Sequence, residues 1–295
     1  MQKAYIIMAH KLPAQLCRLI ERLNDNFSYF FIHLDKKADS NAFKCLDKFG
    51  EKVVYIERFD SIWGKTGIIK PLLAGFHAIK TSQLPFDRIC LLSGQDYPIK
   101  SNEAIDHFFQ HSNYSVFIDF FAIPNYQKWP GSDRGGLYRV DKYYFGDKWY
   151  ELFCSRTVNF LASGIPWLRR KIPLGMKPFT GSTWFILDMY FLDYILNFVK
   201  NHPEYLEFHK NTFVADELFV HMLIGNATDK KLLNSVENVE KHFIIWESNQ
   251  VAHPKAITKS DFEAILNTDA LFARKFDEKL DDEILNLIDE RILQK

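Results

Sequence analysis

Four short apolar runs, each followed by a segment of different periodicity, limit what this chain can fold into. A-Y-I-I-M-A at 4–9, Y-F-F-I-H-L-D at 29–35, V-V-Y-I at 53–56 and R-I-C-L-L-S at 88–93 are too continuously apolar for strands with one solvated face. They read as buried parallel strands. Between them, Leu16, Leu19, Ile20 and Leu23 follow Pro13 at helical spacing, a helix is expected over about 39–49, and Ile68, Ile69, Leu72, Leu73, Phe76 and Ile79 line another. V-F-I-D at 116–119 is a candidate fifth strand. This rhythm predicts an open, mostly parallel, Rossmann-like α/β sheet flanked by helices. Ligands of such sheets bind beyond the carboxyl ends of the strands. The polar residues there are His10 and Lys11, Asp35 and Lys36, Trp63 and Gly64, and Ser93–Asp96. They outline a nucleotide-type crevice without G-x-G-x-x-G or a Walker A loop, which argues against dinucleotide-binding and P-loop readings.

The rest of the chain narrows the class. With 37 Lys plus Arg against 37 Asp plus Glu, the formal charge is zero, and nucleic acid is disfavoured as a partner because its binding rests on a basic field. No Pro/Gly/Ser-rich linker, charge run or repeat divides the 295 residues, so one unit over 1–295 is expected. Cys17, Cys45, Cys90 and Cys154 show no C-x-x-C spacing, and Cys17 and Cys90 sit in apolar runs. Such thiols fit a reducing compartment. The first ten residues lack the apolar run of a signal peptide, and no stretch offers the roughly 20 apolar residues that span a bilayer. These readings together predict a cytoplasmic protein.

The second half holds the chemistry. In T-F-V-A-D-E-L-F-V-H-M at 212–222, Phe213, Val214, Leu218, Phe219 and Met222 recur at helical spacing around Asp216 and Glu217. A carboxylate on a buried helix must be paired, capped or functional. Spacing alone favours a capping or ion-pair role. W-P-G-S-D-R-G-G-L-Y-R at 129–139, with Asp133, Arg134, Tyr138 and Arg139, reads equally as an acceptor loop or a solvated one. W-L-R-R-K-I-P-L-G-M-K-P-F at 167–179 mixes Arg169, Arg170, Lys171 and Lys177 with apolar residues, so it is a basic loop suited at most to peripheral contact with an anionic membrane. Asp188 is placed to cap a helix carrying Phe191, Tyr194, Ile195 and Phe198, and H-F-I-I-W-E at 242–247 is a strand. Asp281, Asp282 and Glu283 open a final helix with favourable dipole chemistry.

Several of these stretches resemble, in order, motifs of the core-2/I-branching β-1,6-N-acetylglucosaminyltransferases and peptide O-xylosyltransferases, glycosyltransferase family 14. I-H-L-D-K-K at 32–37, S-G-Q-D-Y-P-I-K-S-N at 93–102, G-S-T-W-F at 181–185, V-A-D-E-L-F at 214–219 and L-F-A-R-K-F-D at 271–277 carry the likeness, which is weakest at 113–178. Val214 and Ala215 stand where the family has Ser-Pro. The resemblance implies a GT-A-type fold whose nucleotide-binding half, about 1–120, merges into an acceptor-binding and catalytic half, about 121–295. It implies inverting transfer from a UDP-sugar donor to a glycan or lipid-linked saccharide acceptor. Glu217 becomes the catalytic base. Lys255 and Lys275 hold the donor pyrophosphate, with Lys255 replacing the Arg of animal relatives. His10, Asp35 and Lys36 meet the uridine nucleotide, and Trp246, Asp96, Trp184 and Asp216 meet acceptor or sugar. The chain contains no D-x-D, so no metal cofactor is expected and the two lysines would stabilise the leaving group instead. N-Acetylglucosamine in a β-1,6 branch is the implied transfer. UDP-xylose as donor, or a carbohydrate-binding protein without turnover, are the alternatives.

Overall fold

The computed structural model describes residues 1–61, 67–129, 131–146, 148–247 and 253–294, with the backbone alone at 131–133. Trp63, Gly64 and the side chain of Asp133 therefore lie outside the described residues. A seven-stranded sheet holds β1 (Lys3–Ala9), β2 (Ser28–Leu34), β3 (Val53–Tyr55), β4 (Arg88–Ser93), β6 (Val116–Ala122), β7 (Phe179–Leu187) and β8 (Val236–Glu237) in the order β3-β2-β1-β4-β7-β6-β8. β1, β2, β3 and β4 pair in parallel, and β7 runs antiparallel to both β4 and β6. A second sheet of β5 (Asp96–Pro98), β10 (Phe272–Arg274) and β9 (His242–Ile244) sets β10 between the other two. This is the open, mostly parallel α/β architecture that the strand–helix rhythm implies.

β1, β2 and β4 pack on both faces, as their continuous apolarity requires; β3, expected to be buried as well, is an edge strand that is only partly covered, with Tyr55 47% exposed. Ala4, Ile6 and Met8 of β1 join a core with Leu72 and Phe76 of α2 (Ile69–Ser82). Tyr5, Ile7 and Ala9 point the other way, into a core with Leu16, Leu19 and Ile20 of α1 (Pro13–Leu23) and Ile105 of α3 (Asn102–His111). Ser101 caps α3 by accepting from the Ala104 amide, 3.2 Å.

Between β6 and β7 the chain leaves the sheet to form α4 (Tyr138–Asp141) and α5 (Trp149–Gly164). After β7, Asp188 accepts from the Phe191 amide at 2.7 Å and caps α6 (Met189–Asn201), as its position predicts. Next come α7 (Pro203–Lys210), α8 (Asp216–Gly225), α9 (Lys230–Asn234), α10 (Phe262–Leu266) and α11 (Glu283–Ile288). Among the described residues no helix is long and apolar enough to cross a membrane. All four cysteines are free thiols, Cys17 and Cys90 buried.

Three expectations need adjusting. The helix expected over about 39–49 forms over 40–52, as a 3-10 rather than an α-helix. Phe43, Leu46 and Phe49, which pack on the core, are spaced strictly by three, the repeat of a 3-10 helix. The strand at 242–247 stops at Ile244. Arg170 is not part of a solvated basic loop. It is buried over the Phe208 ring, 3.9 Å from the centroid, and donates to Lys142 O at 3.1 Å and Thr212 Oγ1 at 2.5 Å.

Candidate active site

At one end of the site the strand termini gather cations. His10 and Lys11 follow β1, and the amide of Asp35, after β2, donates to Ala9 O at 2.8 Å. The Asp35 carboxylate accepts from the amides of Lys37 (2.8 Å) and Ser61 (2.9 Å). Burial works against its charge, but those two bonds prevail and hold it below the usual carboxylate range. Burial, Lys11 and Lys275 all push His10 towards its neutral form, against the pull of Asp35. Lys11 pairs with Asp277 at 3.1 Å. The Ile257 amide donates to Lys275 O at 2.8 Å, and the Lys255 amide to Ile245 O at 2.9 Å, which sets the chain of Lys255 beside β9 and the end of β10. Lys255 pairs with Asp261 at 2.9 Å. Lys275 has no ion-pair partner among the described residues, and burial together with Lys11 and Arg274 lowers its pKa. Lys36 is exposed.

The three-stranded sheet forms the middle. Asp96 on β5 faces Arg274 on β10 in register. Its buried carboxylate accepts from the Ser93 amide (2.8 Å) and hydroxyl (2.6 Å) and lies 3.5 Å from His242 Nε2 and 3.6 Å from Arg274 Nε. The Arg274 guanidinium stacks on buried Trp184 of β7, 3.9 Å from the ring centroid. Ser182, two residues earlier, donates to Glu240 Oε1 at 2.5 Å. Burial, aided by Asp119 and countered by Ser182, raises Glu240 to about 7. Gly181 explains itself here. A Cβ at this position would lie 1.8 Å from Asp119 O, where β6 crowds β7 at a break in register between Ile118 and Phe120.

The third part is the start of α8. The chain enters it through Val214 at φ 51°, a left-handed conformation that is strained for a β-branched residue. Asp216 and Glu217 form the first turn. Asp216 is half-buried and accepts from Thr183 Oγ1 at 3.1 Å. Burial first, then the Glu217 charge, raise its pKa to about 7. Glu217 Oε2 is bonded by Arg139 of α4, which is buried and lies 4.8 Å from the Trp129 ring centroid. Thr180 Oγ1 donates to Glu217 O at 2.8 Å and accepts from Arg139 at 3.4 Å. The Glu217 side chain stays 31% exposed, and no protein donor to Oε1 is found among the described residues. Trp246, just past β9, is 51% exposed and so outside the core.

Seven of the residues singled out above fall along one tract. His10, Asp35 and Lys275 lie at the strand ends, Asp96 and Trp184 in the middle, and Asp216 and Glu217 at the far side. Sequence pattern alone does not mark Arg139, Glu240 or His242 as site residues. The nearest signal was Arg139 in an acceptor-type loop, but its partner is far along the sequence. Arg134 of the same loop pairs with Asp141 instead. Among the described residues no three His, Cys, Asp or Glu side chains are arranged to hold a metal ion.

Comparison with known proteins gives this arrangement a context. A family model described as "Branch: Core-2/I-Branching enzyme" matches residues 3–266, stopping short of Lys275. Beta-glucuronosyltransferase GlcAT14A of Arabidopsis thaliana is 30% identical over 206 residues, 69% of this chain and 42% of the relative. Beta-glucuronosyltransferase GlcAT14B of the same plant is 25% identical over 304 residues, 98% of this chain and 66% of the relative. Xylosyltransferase 1 of Homo sapiens is 22% identical over 310 residues, 97% of this chain and 30% of the relative. The chain thus spans less than a third to just under two thirds of these relatives' own lengths.

Proposed function

The chain belongs to the Core-2/I-branching enzyme family, and from that premise we propose that it is an inverting, metal-independent glycosyltransferase. It moves N-acetylglucosamine from a UDP donor onto a glycan hydroxyl as a β-1,6 branch. The observation that carries this reading is the tract itself. A half-exposed carboxylate held by Arg139 stands at one side, and Lys275, without an ion-pair partner among the described residues, stands at the other.

In this reading Glu217 Oε1 takes the proton from the acceptor hydroxyl as that oxygen attacks the anomeric carbon. The bond from the anomeric carbon to the β-phosphate oxygen breaks, and its electron pair leaves with UDP. Lys275 and Lys255 offset the charge that develops on the departing diphosphate, and Lys11 adds to the same field. Arg139 keeps Oε2 occupied, so the free oxygen faces the acceptor. Trp246 offers its exposed ring to the acceptor sugar. His10, Asp35 and Lys36 border the uridine nucleotide. Asp96 is fully buried, so rather than meeting the sugar itself it positions Arg274, which with Trp184 forms the floor under the donor sugar.

The floor also bears on the sugar's charge. Asp96, Asp119, Asp216, Glu217 and Glu240 outnumber Arg139 and Arg274, and two of the five are raised to about 7 by burial and mutual proximity. A donor bearing its own carboxylate would add to that repulsion, so a neutral sugar is favoured over glucuronate. Four free thiols suit a reducing compartment. We therefore place the reaction in the cytoplasm, on a free or lipid-linked saccharide.

The test pairs calorimetric UDP binding with initial rates across a panel of UDP-sugars. Glu217→Gln should keep UDP affinity and lose turnover by about 10²–10⁴-fold, the usual worth of general-base assistance. Lys275→Ala should lose both, turnover more strongly. Normal turnover by Glu217→Gln would remove the base from the mechanism.

A further inference from the structure

The outer face of α5 is apolar where a surface helix is ordinarily polar. Trp149, Phe153 and Phe160 are 81%, 65% and 77% exposed. At 3.6 residues per turn they fall within roughly 40° of one another on the helix. The side chains turned inward are Ser155 and Ala162. Of the seventeen large apolar side chains exposed among the described residues, eight lie between 149 and 174, including Trp167 on the following turn. Contiguous exposure on this scale marks an interaction surface.

Charge says what covers it. From 148 to 177 the sequence has six cations, of which Arg170 is buried, and one acid, Glu151, with Asp147 just before. Glu151 is engaged by the Lys148 amide at 3.1 Å. Arg156 rises from the aromatic face itself, and Arg156, Lys171 and Lys177 are exposed without an ion pair among the described residues. A second copy meeting this face about a two-fold axis would set cations against cations. An anionic lipid surface meets both demands, taking aromatic rings at the boundary of headgroups and acyl chains and cations among the headgroups.

We propose that the α5 aromatic face docks this protein on an anionic lipid bilayer without spanning it. The face is tied to the site by hydrogen bonds. Arg170 ties the segment to Thr212, four residues before Asp216, and the preceding α4 carries the Arg139 that holds Glu217. Docking therefore fixes the height of the site above the membrane. The proposal does not depend on the identity of the donor sugar.

The experiment is co-sedimentation of the full chain with phosphatidylcholine vesicles, with and without phosphatidylglycerol, at low and high salt. Binding should require phosphatidylglycerol and weaken with salt. Each inserted ring contributes roughly tenfold to partitioning, so Trp149→Ser/Phe153→Ser/Phe160→Ser should weaken binding on the order of 1000-fold. Circular dichroism and melting verify that this surface variant folds. Should it not, Arg156→Glu/Lys171→Glu carries the test and should also lose the phosphatidylglycerol dependence. Indifference of the parent to anionic vesicles, or undiminished binding by the folded variants, would overturn the proposal. So would lipid-free self-association of the parent that the ring substitutions abolish, since that assigns the face to a second copy.

Discussion

Replacing Asp216 by Asn tests the electrostatics of the site without touching its shape. Asn keeps an oxygen for the Thr183 hydroxyl bond and cannot ionise. Burial and the neighbouring Glu217 raise Asp216 to about 7, from 3.8 for the free group. Between those values the unfolded chain has released this proton while the folded chain keeps it. Stability therefore falls as pH rises through the window, and the loss is complete above about 7. From pH 5 to pH 8 the slope of 1.36 kcal/mol per unit, acting over about two units, sets a loss of about 3 kcal/mol. Solvent reaching the half-buried carboxylate reduces that to about 2 kcal/mol. For 295 residues this corresponds to roughly 3 °C in Tm. Thermal unfolding of parent and Asp216→Asn across pH 5–8 should show the variant's advantage growing by that amount as pH rises. Parallel profiles would refute the argument and mean that solvent or an unassigned donor satisfies Asp216.

Three further outcomes follow from the same geometry. Transfer should survive excess chelator, because the chain lacks D-x-D and the proposed mechanism has Lys255 and Lys275 offset the leaving-group charge; abolition with rescue by manganese would refute that substitution. Trp246→Ala should raise the acceptor KM and leave UDP affinity and melting nearly unchanged, since the ring is 51% exposed; unchanged acceptor kinetics would remove it from the acceptor site. Arg139→Met should lower stability by about 2–3 kcal/mol, less than a fully buried pair because Glu217 is 31% exposed, and should cut kcat far more than UDP affinity. Equal losses of kcat and UDP affinity would place its effect outside the base.

The legible part of this fold is the part governed by local period. β1, β2 and β4 are found because a strand buried on both faces must be apolar throughout, and Asp188 and Ser101 because a cap sits next to what it caps. The 3-10 stretch at 40–52 defeats the same reading, since a spacing of three fits either helix type over so short a run. Arg170 and Arg139 are illegible for another reason. A buried cation is defined by its partners, and Phe208, Thr212 and Glu217 lie tens of residues away. Spacing alone prefers a capping or ion-pair role for Asp216 and Glu217, and Glu217 does pair with Arg139. Only the resemblance of V-A-D-E-L-F and L-F-A-R-K-F-D assigns chemistry to Glu217 and Lys275, and the structure adds the Arg139 contact that no local pattern contains. The outward apolar face of α5 runs against the amphipathic rule itself, which is why it stands out once burial is known.

The carboxylates of this protein divide by what surrounds them. Asp289 receives Arg18, Arg22 and the Tyr97 hydroxyl, Asp35 two backbone amides, and Asp96 a serine with Arg274 close by. Burial opposes ionisation at all three, yet donors and cations outweigh it and each is held below its ordinary range. Asp216 and Glu240 are the reverse. Each has one hydroxyl donor, acidic neighbours and a pKa raised to about 7. A fold selected for stability alone gains nothing from two such groups, because Asn or Gln would remove the cost of their ionisation. Under-satisfied carboxylates gathered along one tract are what a site needs if it is to bind hydroxyl-rich ligands, whose own O–H groups supply the missing donors. The same reasoning links the stability penalty at Asp216 to ligand binding: a bound saccharide should flatten the pH dependence of unfolding that the parent shows when empty.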